Sequence, residues 1–274
     1  MLIEIDHHPI NCHIVGDGKP VFLLHGLGCD HRLMMGCMEP VFARYPAYRR
    51  IYIDLPGMGA SDASLELCSS DRILELLNRL AERLTDGEPF LLAGESYGGY
   101  LAQGMLASCQ PGLVDGLLLI CPVVIAGHAE RDVPAHRTLL ADSDFLARLS
   151  LEGRTRFGEY AVVADQYTYT RYENELLPGI LAADGPFLKR LADRYAFTFD
   201  LRQKIRALHY DRPVLLIAGR QDDCVGYRDL WRTVEEYPRA TYAVLDLAGH
   251  NLQIEQPALF NSLIENWLER IERS

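Results

Sequence analysis

No stretch of this chain reaches the roughly 18 consecutive apolar residues that a membrane-spanning helix needs. No C-x-x-C pair occurs, and the seven cysteines, at 12, 29, 37, 68, 109, 121 and 224, are odd in number and scattered. That pattern excludes a disulfide framework and a zinc knuckle, and is expected of free thiols in a reducing cytosol. Positive charge is in deficit: 27 Lys and Arg stand against 38 Asp and Glu, a net charge of -11. Such a surface excludes nucleic acid and anionic membrane as expected partners. The opening M-L-I-E-I-D-H-H-P lacks a charged region followed by an apolar stretch, so no secretory signal is expected and the expected compartment is cytoplasmic. Internal repeats and low-complexity segments are absent. The apolar share, 49% of 274 residues, suffices for one large core without metal or disulfide staples, and no cofactor or metal motif is read. His7, His8 and His13 suit no ligand spacing and are expected to be solvated.

The most informative stretch is Phe90 to Gln110. An apolar run (Phe90–Ala93) enters Gly94-Glu95-Ser96-Tyr97-Gly98 and leaves as a helical pattern with Leu101, Ala102, Met105 and Leu106 on one face. Strand, sharp turn and helix with G-x-S-x-G at the apex is the nucleophile-elbow arrangement; a solvated turn serine is the plainer alternative. Two glycines let neighbouring backbone approach closely while the apex residue is strained. The helix start behind Ser96 would favour a developing oxyanion. Glu95 is expected to face the opposite side from Ser96, in a packing or hydrogen-bonding role.

Elsewhere, residues 1–18 read as a hairpin of edge strands, broken at Pro9 and at Gly16-Asp17-Gly18. Val21–Leu24 is a buried strand ending in His25-Gly26-Leu27-Gly28, with His25 expected as a buried structural histidine. A helix over about 30–42 follows, then a strand at 50–54, a loop fixed by Pro56, Gly57 and Gly59, and a helix capped around Ser69–Asp71. Val114–Cys121 is a further buried strand. Alternating strands and helices predict an α/β fold with a mostly parallel sheet covered on both faces. The rhythm breaks over 123–208, where the patterns are helical: Leu139, Leu140, Phe145, Leu146 and Leu149, then Tyr160, Val163 and Tyr167, then Ile180, Leu188, Leu191 and Tyr195. Residues 1–122 and 209–274 are thus expected to form the core, and 123–208 an inserted helical cap above the serine. The cap tyrosines are expected to serve helix packing before any acyl pocket. Strands at 213–219 and 241–247 follow, and Pro257 opens a final helix with Leu259, Leu263, Ile264, Trp267, Leu268 and Ile271 inward.

Ser96, Asp222 and His250 then fall at the carboxyl ends of three different strands, in the chain order of the nucleophile-elbow fold. Serine needs a base; His250 offers one, and a carboxylate on its other nitrogen would stabilise the imidazolium. The backbone N–H groups of Leu27 and Tyr97 are expected to receive the oxyanion. H-G-L-G at 25–28, D-L-P-G-M-G-A-S at 54–61, G-E-S-Y-G-G at 94–99, G-R-Q-D at 219–222 and A-G-H at 248–250 together resemble the α/β-hydrolase superfamily. The resemblance implies a twisted eight-stranded sheet, selects Asp222 over Asp223 through G-x-x-D, and implies a cofactor-free serine hydrolase. Its small-molecule acyl substrate would be an ester, thioester, lactone or amide. An acyltransferase, a carbon–carbon bond hydrolase and a receptor-like binding member share the pattern. Related dehalogenases and epoxide hydrolases carry aspartate at the elbow, which Ser96 argues against.

Overall fold

The computed structural model describes residues 1–274. Strands β1 (Leu2–Ile5) and β2 (His8–Val15) form the amino-terminal hairpin, their turn made by Asp6 and His7 at φ 50° and 71°. The apolar runs that follow become β3 (Lys19–Leu24), β4 (Tyr48–Ile53), β5 (Phe90–Glu95), β6 (Val114–Ile120), β7 (Val214–Gly219) and β8 (Ala240–Leu245). One eight-stranded sheet results, in the order β1-β2-β4-β3-β5-β6-β7-β8. β1 and β2 pair antiparallel, as do β2 and β4, and every other pairing is parallel. β5 and β7 are buried along their whole length, as strands covered on both faces must be.

The covering helices begin where side chains can satisfy open N–H groups. Asp30 caps α1 (His31–Phe42) by accepting from Arg32 N–H, and Ser69 caps α2 (Ser70–Thr85) by accepting from Arg72 N–H. α3 (Tyr97–Ser108) leaves the elbow and is packed by α4 (Leu201–Leu208). α5 (Pro257–Glu272) opens on its proline and buries Phe260, Ile264, Trp267, Leu268 and Ile271. Leu259, expected inward, is 49% exposed: it sits one residue before Phe260 and so about 100° off the buried stripe. Leu263 is half-buried.

Over 123–208 most of the chain is helical, in short pieces: Ser143–Leu146, Leu151–Gly158, Gln166–Ala182 and Gly185–Ala192. Two expectations fail there. Leu139 and Leu140 are exposed and extended, with Leu140–Ala141 pairing Val163–Ala164 as a two-stranded ribbon. The Leu139 and Leu140 N–H groups both donate to the Val162 carbonyl, at 2.8 and 3.2 Å, and Asp142 N–H donates to that of Ala164, so the ribbon takes the bonds a helix would need. Tyr160 and Tyr167 therefore flank a bridge instead of sharing a helix. A small satellite core of Leu33, Phe157, Ala161, Ala164, Tyr172, Leu176 and Ile254 joins this segment to α1 and to the short helical turn Leu252–Glu255 before α5.

The sheet's own core includes Trp267, which is 0% exposed and donates its indole N–H to the Pro213 carbonyl at 3.2 Å. Trp267→Ala removes that anchor and should lower unfolding free energy by about 3–5 kcal/mol. Urea denaturation checks this, and a loss under about 1 kcal/mol would contradict the packing described.

Candidate active site

Ser96 stands between β5 and α3 at φ 52° and ψ −113°, a conformation that costs a non-glycine residue of order 1–3 kcal/mol. Tight neighbours hold it. A Cβ on Gly98 would lie 2.3 Å from the Leu24 carbonyl oxygen, and one on Gly94 would lie 2.3 Å from that of Gly98. The glycines let β5, α3 and the end of β3 meet. A Cβ on Gly26 would approach Ser96 Cβ to 3.2 Å, so the His25–Gly28 turn runs directly beside the serine.

Ser96 Oγ lies 2.8 Å from His250 Nε2, and His250 Nδ1 lies 2.9 Å from Asp222 Oδ2. Asp222 is fully buried, and its Oδ1 accepts the N–H groups of Cys224 and Val225 at 2.8 and 2.9 Å. Burial opposes charge on His250, but the Asp222 carboxylate outweighs it and holds the imidazole well above its ordinary pKa. Tyr97 is the first residue of α3 and has no intrahelical acceptor, while the Ser96 side chain makes no capping bond. Leu27 N–H meets no acceptor among the loop hydrogen bonds. Asp223 points elsewhere, to His136 at 3.4 Å.

The row opens into a cavity of about 520 Å³ with mainly apolar walls. Leu27, Cys29 and Leu33 come from the first half of the chain, while Tyr160, Leu176, Ile180, Ala192 and Tyr195 come from the 123–208 segment. Glu255 ties that segment to the histidine loop. Its carboxylate accepts the N–H groups of Val162, Val163 and Gly249 at 2.6, 3.2 and 2.6 Å.

A sequence profile of the alpha/beta hydrolase family matches residues 21–263. The chain belongs to this family. Within it, a 2-succinyl-6-hydroxy-2,4-cyclohexadiene-1-carboxylate synthase of Salmonella paratyphi C is 28% identical, covering 94% of this chain and 95% of its own length. The AB hydrolase superfamily protein YisY of Bacillus subtilis is 25% identical, with the same coverage. The crystal structure of an alpha/beta superfamily hydrolase from Oenococcus oeni superposes with a TM-score of 0.88 at 30% identity, covering 96% of both chains.

As in the motif reading of this hydrolase fold, His25 is buried and structural: its Nδ1 lies 2.8 Å from the Gly26 carbonyl, and its Nε2 accepts Leu55 N–H at 3.0 Å. Two of the amino-terminal histidines depart from their expected solvation: His8 pairs Asp62 at 2.6 Å, and His13 stacks on His31 with ring centroids 3.6 Å apart. Glu95 departs further. The positive φ at Ser96 breaks the alternation of β5, so residues 95 and 96 both reach the cavity, and Glu95 Oε1 lies 3.4 Å from His250 Nε2. Only the buried environment marks this residue; a Glu before the apex serine carries no such signal in one sequence. Burial pushes its carboxyl up to about 7, opposed by the neighbouring His250 charge and reinforced by that of Asp222. Glu95 is thus neutral in acid and ionises around neutrality. Infrared difference titration of the wild type against Glu95→Gln should isolate one carboxyl ionising near pH 7; ionisation below pH 5 would contradict the buried placement.

Proposed function

We propose that this chain is a serine hydrolase acting on a small ester, thioester, lactone or amide through an acyl-enzyme. The observation carrying the reading is the unbroken row Asp222–His250–Ser96, with links of 2.9 and 2.8 Å, opening into a partly open, mainly apolar cavity. Ser96 Oγ attacks the acyl carbon as His250 Nε2 takes its proton. The tetrahedral oxyanion is received by the N–H groups of Leu27 and Tyr97. His250, now an imidazolium facing the Asp222 carboxylate, returns the proton to the leaving group. Water then repeats the sequence on the acyl-serine, releasing the acid. A cavity of about 520 Å³ fits a small organic molecule and no polymer. Segment 123–208 serves as the cap that excludes bulk water from it. The seven free cysteines and the acidic surface fit a cytoplasmic enzyme of small molecules.

A second reading has one observation of its own: the synthase relative covers nearly the whole chain. In that case the same residues serve a synthase reaction in which no ester is hydrolysed. A burst of nitrophenolate from 4-nitrophenyl butyrate, equal to the enzyme present, separates the two.

Ser96→Ala should lower kcat for 4-nitrophenyl butyrate by about 10⁴-fold or more at unchanged fold. Residual activity within about tenfold of wild type would overturn the serine's role. Asp222 raises the basicity of His250, and the reaction uses the neutral imidazole, so the rate climbs with pH as His250 loses its proton. Asp222→Asn removes the negative charge, so that rising limb moves to lower pH while kcat falls about 10⁴-fold. A pH–rate profile with an unmoved limb would remove Asp222 from the row.

A further inference from the structure

The cavity wall contains one permanent cation, Arg131, opposite a predominantly apolar lining. Its guanidinium is held in place mainly by backbone carbonyls. Nε donates to the Ile125 carbonyl at 2.9 Å, Nη1 to that of Cys224 at 2.9 Å and Nη2 to that of Ala126 at 3.2 Å. Carbonyls orient a guanidinium but do not neutralise it. Of its five N–H groups, three are engaged there, and the Tyr195 hydroxyl approaches as a neighbour.

No carboxylate lies within ion-pair distance. The acids on either side in sequence are turned away: Asp132 pairs Arg228 and Arg232, and Glu130 folds back beside Gly127. Among the other poorly exposed arginines, Arg50 and Arg171 are each paired with a glutamate, whereas Arg49 and Arg270 also bond only carbonyl or hydroxyl oxygens but lie outside the cavity. A chain with 38 acidic residues has left this half-buried arginine unpaired on the wall of the cavity that the serine opens into. An uncompensated charge withdrawn from water is costly, and a planar guanidinium matches a carboxylate bidentately.

We infer that Arg131 is a specificity residue that binds a carboxylate of the substrate, so that the molecule cleaved is an ester or thioester bearing a free carboxylate beyond the reacting carbonyl. This inference rests on the hydrolase reading for the reaction, though not for the binding. Because the carboxylate stands on either the acyl or the leaving-group side, both arms are tested. 4-Nitrophenyl hemisuccinate carries it on the acyl side, 3-carboxyphenyl butyrate carries it on the leaving group, and 4-nitrophenyl butyrate is the neutral reference.

The wild type should favour one of the charged esters, and Arg131→Gln should lower the ratio of kcat/KM for that ester over the neutral one by roughly 30-fold or more. Arg131→Lys, which keeps the charge, should retain part of the preference. A purely structural arginine, stapling the Ile125–Ala126 and Cys224 loops, would instead lower all three substrates together and leave the ratio unmoved; that result overturns the inference. Calorimetry supplies a readout without turnover: 4-phenylbutyrate should bind the wild type at least tenfold more tightly than 4-phenylbutanol, and the preference should vanish in Arg131→Gln. Equal binding of acid and alcohol overturns it. Preferential binding of the acid with no ester cleaved would leave Arg131 as the anion site and count against the hydrolase reading alone.

Discussion

The structure depends on one unfavourable backbone conformation, the positive φ of Ser96. A serine pays for it only because β5 and α3 are locked from both sides by close contacts that glycine alone permits at 94 and 98. The turn lifts Oγ to within 2.8 Å of His250 and starts a helix whose first N–H has no acceptor. It also swings Glu95 onto the same side. Sheet, elbow and cavity are therefore a single mechanical unit.

Around that unit, loops from distant parts of the chain are held by buried carboxylates. Asp54 accepts from His31 N–H and Nδ1, from Asn11 Nδ2 and from Ala60 N–H, which fixes the D-L-P-G-M-G-A-S loop against α1. Burial opposes ionisation of Asp54, yet those donors keep its carboxyl well below the usual range. Glu255 does the same for the histidine loop and residues 162–163. Asp54 and Glu255 thus hold backbone in place, whereas Glu95, with no comparable set of donors, is pushed up to about 7 by burial.

Much of the fold was legible because parallel strands buried on both faces read as short apolar runs, each ending in the glycine-rich or polar residues that the sheet's carboxyl edge collects. Ser96 and Asp222 were legible for that reason, while His250, which follows the half-exposed edge strand β8, was legible from A-G-H and its place in the chain order. Residues 123–208 were read less well. Their helices are short, several no longer than eight residues, so periodicity at Leu139–Leu149 had too few turns to distinguish a helix from an extended approach. Glu95 was placed on the wrong side, and Arg131 and Glu255 were passed over, for a different reason. Each acquires its character from partners far along the chain, and for Arg131 from the lack of an acidic one.

The central claim is that Ser96 attacks. Its most direct measurement is intact mass and peptide mapping after treatment with a fluorophosphonate. The account predicts a single adduct, on the peptide carrying Ser96, and none in Ser96→Ala. An unmodified wild type, or an adduct that persists in Ser96→Ala, would contradict it.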